Sequence, residues 1–156
     1  MNHPPVEKLL QDLKNEAEPV RIRATEQLWH IWFHQKGAYG LEFLQRAQTC
    51  LEMGKVEPAK AILTELIEDQ PDFAEAWNRR AVIYYSIGDY HKAIEDCEMV
   101  VQLNPVHFGA LHGLGLCYAA VGDYRGAIAA FKEALEIQPY SLINQKLILE
   151  CTACLS

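Results

Sequence analysis

Three stretches of this chain repeat one another without a gap, and this constrains the fold more than any other feature. The segments "EFLQRAQTCLEMGKVEPAKAILTELIEDQP" (42–71), "AWNRRAVIYYSIGDYHKAIEDCEMVVQLNP" (76–105) and "ALHGLGLCYAAVGDYRGAIAAFKEALEIQP" (110–139) follow at a constant offset of 34 residues. Glycine recurs at 54, 88 and 122, alanine at 59, 93 and 127, and proline at 71, 105 and 139. A period of that size marks a solenoid, in which each unit buries its apolar face against its neighbours.

Each window (40–73, 74–107 and 108–141) reads as two short helices. Trp77, Ala81 and Tyr84 fall at i, i+4 and i+7, and Ile94, Cys97 and Val101 at i, i+3 and i+7 after the turn, both helical spacings. The pairs Gly88–Asp89 and Gly122–Asp123 suit a helix stop followed by a helix start. The closing prolines end each second helix. Ala59, Ala93 and Ala127 sit where a small side chain lets paired helices approach closely.

The register of Trp77, Ala81, Tyr84, Ala93 and Pro105, with Leu111, Gly115, Tyr118, Ala127, Phe131, Ala134 and Pro139, resembles the tetratricopeptide repeat over residues 40–141. The resemblance implies an all-α, right-handed solenoid of helical hairpins. Flanking segments would supply caps. Residues 1–39 are expected to form an N-terminal cap of two helices. One is built on Val6, Leu9, Leu10 and Leu13; the other begins at Pro19 and ends at Gly37. Residues 142–156 are expected to form a C-terminal capping helix packed through Leu142, Leu147, Ile148 and Leu149.

With 14 Lys and Arg against 21 Asp and Glu, the net charge of −7 repels a phosphate backbone, so nucleic acid is not an expected partner. No apolar run reaches the ~18 residues of a membrane span, and residues 1–19 show no secretory signal. The five cysteines, an odd number, suit free thiols in a reducing, cytoplasmic setting better than a disulfide framework.

Candidate chemistry is sparse, and no enzyme, cofactor or metal is expected. "GLG" at 113–115 lacks the preceding strand and the third glycine of a dinucleotide loop, having Tyr118 in that place. His30 and His34 have chelating spacing but no third ligand nearby, and read as flanking an aromatic stripe. The "CTAC" at 151–154 lies in a capping helix without two further zinc ligands.

The resemblance implies that the first helix of each pair lines a concave groove. Phe43, Ala47 and Cys50, with Trp77, Ala81 and Tyr84, and Leu111, Gly115 and Tyr118, are then core. The adjacent stripe faces the groove: Leu41, Leu44, Gln45, Gln48 and Leu51; Glu75, Asn78, Arg79, Val82 and Tyr85; Gly109, His112, Gly113, Leu116 and Ala119. Leu44, Gln48, Asn78, Arg79, Val82, Tyr85, Gly109, His112, Gly113 and Leu116 are the candidate contacts to a protein or peptide partner, with Asn78 and Arg79 as polar anchors. The family's clamp for acidic chaperone tails uses Lys, Asn and Arg, whereas the corresponding positions here carry Leu44, Gln48, Arg79, Gly109 and Gly113. A homodimer or docking arm through Trp29, Trp32 and Phe33 is the rival reading, and a non-catalytic accessory subunit is another. Among the three glycines of 109–115, Gly115 falls at the close-packing site of Ala47 and Ala81. Gly109 and Gly113 fall on the groove stripe, where packing does not require them.

Overall fold

The computed structural model describes residues 4–156, and among them every regular element is a helix. These are α1 (Val6–Asp12), α2 (Glu18–Phe33), α3 (Gly37–Glu52), α4 (Val56–Asp69), α5 (Ala74–Ser86), α6 (Tyr90–Leu103), α7 (Phe108–Ala120), α8 (Tyr124–Ile137) and α9 (Leu142–Cys154). The pairs α3–α4, α5–α6 and α7–α8 are the three repeats, stacked in chain order with α9 on the last. Gly54, Gly88 and Gly122 end the first helix of each pair at φ +75°, +81° and +83°, a left-handed conformation that a side chain resists. Asp123 then accepts a hydrogen bond from the Gly126 N–H at the start of α8. Ala59, Ala93 and Ala127 are wholly buried at the helix crossings.

Two glycines of α7 answer to different physics. A Cβ on Gly115 would stand 2.4–2.7 Å from the Phe131 ring of α8, so α7 and α8 touch there through bare backbone. A Cβ on Gly113 would meet only the Cys97 Sγ, at 3.6 Å, an ordinary contact. Helix-interior glycine costs ~1 kcal/mol relative to alanine. Gly113→Ala is therefore expected to stabilise the protein by about 1 kcal/mol. Denaturant unfolding should show a raised midpoint at unchanged slope, and a lowered midpoint would mean that the site is not open.

The ends depart from the expected caps. Helix α2 does not sit on the open face of the first repeat. It runs as a strap past the turns that join successive repeats, crossing from the last of them back to the first. The Arg21 guanidinium lies 4.1 Å over the Tyr140 ring, in the turn before α9. Trp29 meets the edges of His107 and Phe108, Trp32 stacks on His107 at 4.4 Å, and Phe33 lies under Arg79. Lys36, just beyond the helix, pairs with Asp72 at 2.8 Å. Leu9, Leu13, Ala24, Leu28, Trp32 and Phe108 form one buried cluster beneath the strap.

This arrangement overturns two expectations. Trp32 is buried, and Trp29 and Phe33 are half-buried against this chain's own repeats, so the three do not form a free docking arm. Gly109 is required by packing after all: a Cβ there would stand 2.6 Å from the Trp29 ring.

At the other end, α9 repeats the register of α5 and α7. Asn144 and Cys151 are buried in it, and Leu147 and Ile148 half-buried, whereas Leu142 and Leu149 are 78% and 71% exposed. Leu149 is the counterpart of Ala81 and Gly115, the side that α6 and α8 cover in the preceding pairs. No helix covers it among the described residues, which is why Leu149 does not pack as expected.

Candidate functional site: the face of α3, α5 and α7

Because α3, α5 and α7 recur at one register, their stripes form a continuous face, and the ten candidate residues divide between two hollows on it. Asn78, Val82, Tyr85, Gly109, His112, Gly113 and Leu116 line the first, of about 200 Å³, together with Ala81, Cys97 and Cys117. Leu44, Gln48 and Arg79 line the second, of about 400 Å³, with Phe33, Leu41 and Gln45.

Gly113 leaves part of the first hollow open: a Cβ there would meet only the Cys97 Sγ. Val82 and Tyr85 rise exposed on its α5 side, and the half-buried Leu116 continues the wall on α7. His112 is tied back: its Nδ1–H donates to the Asn144 side-chain oxygen at 2.7 Å, joining α7 to α9. Cys97 and Cys117 are buried and their thiols interact directly. The Cys97 thiol is pushed up by its hydrogen bond to Cys117 and by burial. The same hydrogen bond pulls the Cys117 thiol down. Both cysteines read from the sequence only as small apolar residues. Nothing in their spacing, across a turn and on different helices, marks them as a pair.

Several expected groove residues are structural. Leu44 is buried in the cluster with Leu63, Leu66 and Phe73, since its position faces the neighbouring repeat as much as the groove. Asn78 is buried, and its Nδ2 donates to the Glu75 carboxylate at 3.1 Å. Glu75, expected on the open stripe, is fully buried beneath the strap. Its other oxygen accepts from the His107 Nε2–H at 2.9 Å, and Arg79 Nε lies 3.3 Å from the first. The His107 tautomer follows from its second nitrogen: Nδ1 accepts from the Ala110 N–H at 3.0 Å, capping α7, so Nε2 carries the proton. Arg79 keeps part of its surface open but is held by Glu75 and Phe33.

The other sequence candidates stay apart from this face. His30 and His34 stack on each other with ring centroids 3.9 Å apart, and His34 Nδ1 bonds to the His30 carbonyl. Cys151 is buried and Cys154 exposed on α9. Among the described residues no group of three or more His, Cys, Asp or Glu is gathered to hold a metal ion, and no helix is long and apolar enough to cross a membrane. Behind the face, Arg80 grips Asp96 of α6 through two bonds of 2.8 and 2.9 Å. Burial pushes the Asp96 carboxyl up, and the Arg80 guanidinium opposes that.

The sequence model of the tetratricopeptide repeat matches residues 74–107 and 109–141. Residues 74–107 and 109–141 are tetratricopeptide repeats. A TPR repeat-containing protein of Rhizobium etli is 30% identical over 135 residues, 86% of this chain and 66% of that one. Superkiller complex protein 3 of Homo sapiens is 30% identical over 96 residues, 60% of this chain and 6% of its own length. The chain thus spans less than two thirds of these relatives.

Among solved structures, the first TPR of Spaghetti (RPAP3) bound to an HSP90 peptide, SRMEEVD, superposes with a TM-score of 0.71 at 20% identity. It covers 74% of this chain and 91% of that one. The Sgt2 TPR domain from Aspergillus fumigatus gives 0.68 at 21%, covering 73% and 77%. At such identities the likeness is one of fold. The first window lies outside the matched residues, although its helices α3 and α4 form in the same register.

Proposed function

We propose that this tetratricopeptide stack is a non-enzymatic interaction module, and that it holds a segment of a partner protein against α5 and α7. The reading rests on the hollow at Gly113. It is apolar in its walls and open where a helix would ordinarily carry a side chain. Its volume of about 200 Å³ falls below the roughly 300–1,000 Å³ of small-molecule sites. It suits one anchoring side chain of a longer segment whose remainder continues over the second hollow. There Gln45 and Gln48 offer amide donors and acceptors to a peptide backbone.

The partner segment is accordingly an apolar-anchored one. Spaghetti (RPAP3) was solved with the acidic HSP90 peptide, but on the groove stripe of this chain Arg79 is the one cation, and Glu75 already engages it. An acidic tail would find little unspent positive charge. The odd number of cysteines, five, suits a reducing compartment better than a disulfide framework.

The test compares wild type with Gly113→Arg in quantitative pull-downs from source lysate, after matching their melting temperatures. The arginine fills the hollow from an open site, so partners of the wild type are expected to fall at least tenfold. Equal recovery would overturn the groove reading.

A further inference from the structure

We infer that Cys97 and Cys117 form a thiol modification site: a peroxide-class oxidant entering the hollow between α5 and α7 converts the two thiols into an internal disulfide joining α6 to α7. Cys97 lies on α6 and Cys117 on α7, which pack directly on each other. Both side chains line the same hollow, and both are otherwise buried. The route to them is the gap left by Gly113: the place its Cβ would take is 3.6 Å from the Cys97 Sγ, and no other neighbouring atom lies within 4 Å. A small oxidant entering that gap meets sulfur.

The two thiols hydrogen-bond to each other; that contact pulls the Cys117 thiol down, and the same contact together with burial holds the Cys97 thiol up. The Cys117 thiolate attacks one peroxide oxygen, the O–O bond breaks, and hydroxide leaves to be protonated to water. The Cys117 sulfenic acid so formed is attacked by Cys97 sulfur as its proton departs, the S–O bond breaks, and a second water leaves. Two thiols and one hydrogen peroxide give one disulfide and two waters. No other cysteine offers this arrangement: Cys50 lies in the first repeat, and Cys151 and Cys154 lie on α9 away from the hollow. Joining α6 to α7 fixes the back wall of the hollow. An effect on partner binding rests on the groove reading, whereas the disulfide itself does not.

The experiment exposes the full-length reduced protein to a few-fold excess of hydrogen peroxide under conditions that leave its far-UV circular dichroism unchanged. Remaining thiols are alkylated in guanidinium, and the digest is read by mass spectrometry without reduction. The expected result is a linked peptide pair containing Cys97 and Cys117, lighter by two hydrogens than the sum of the free peptides and reversed by dithiothreitol. It should persist in Cys154→Ser, which removes an exposed competitor. Recovery of both Cys97 and Cys117 as alkylated thiols, or a Cys151–Cys154 bridge in their place, would overturn the inference. Both readouts are independent of any partner, so a failed pull-down leaves this result standing and the converse also holds.

Discussion

His107→Ala is expected to lower the stability of the protein by ~4 kcal/mol, because one imidazole satisfies two buried groups. Its Nε2–H is a donor to the fully buried Glu75, and its Nδ1 is the acceptor that caps α7. Depriving a buried carboxylate of a hydrogen bond costs about 1.5–3 kcal/mol, losing a helix cap costs about 1 more, and the stack on Trp32 is lost as well. Asn78 and Arg79 still reach Glu75, so its charge stays paired and the total is held to about 4 kcal/mol. For a chain of this size each kcal/mol moves the melting temperature by about 2–4 °C, so a fall of about 10 °C should appear by calorimetry. The double variant Glu75→Gln, His107→Ala should fall by less than the sum of the single ones, because the amide carries no charge for the imidazole to satisfy. A change under about 2 °C in the single variant would mean that Glu75 does not depend on His107.

The second large effect is expected at Gly115→Val, which should cost ~3 kcal/mol. A Cβ alone would stand 2.4 Å from the Phe131 ring, and Phe131 is wholly buried. The ring has no solvent to retreat into, so α7 and α8 must separate. Adding Phe131→Leu should recover part of the loss by shortening the opposing side chain. If urea midpoints show the double variant as additive, the clash lies elsewhere. The contrast with Gly113→Ala, two residues away on the same helix and opposite in sign, makes the pair a test of packing rather than of helix propensity.

The stack itself was legible because its evidence is repeated. Gly54, Gly88 and Gly122 report one turn three times, and Ala59, Ala93 and Ala127 report one crossing three times. Residues outside the repeat have no such witnesses. Trp29 and Gly109 meet although they lie 80 residues apart in the sequence, and a periodic pattern contains nothing that joins them. Glu75 resembled a solvated charge for the same reason: the residues that bury and satisfy it lie on the strap and at the start of the next repeat. Leu142 and Leu149 were read as core because they are apolar, but burial depends on a neighbouring helix as well as on side-chain chemistry. The stripe from Val82 to Leu116 was found by copying one register across windows. The thiol pair behind it was not, since apolar periodicity treats cysteine as any small hydrophobe.

The strap also changes what kind of object the stack is. A solenoid whose units touch only their neighbours stretches and frays like a spring, unit by unit. Here α2 is a tie rod laid along the coils, fastened at Tyr140, His107, Phe33–Arg79 and Asp72. It couples the last turn to the first, so opening one coil loads the fastenings of the others. The spring is thereby held at one length, and the distance between the two hollows is held with it.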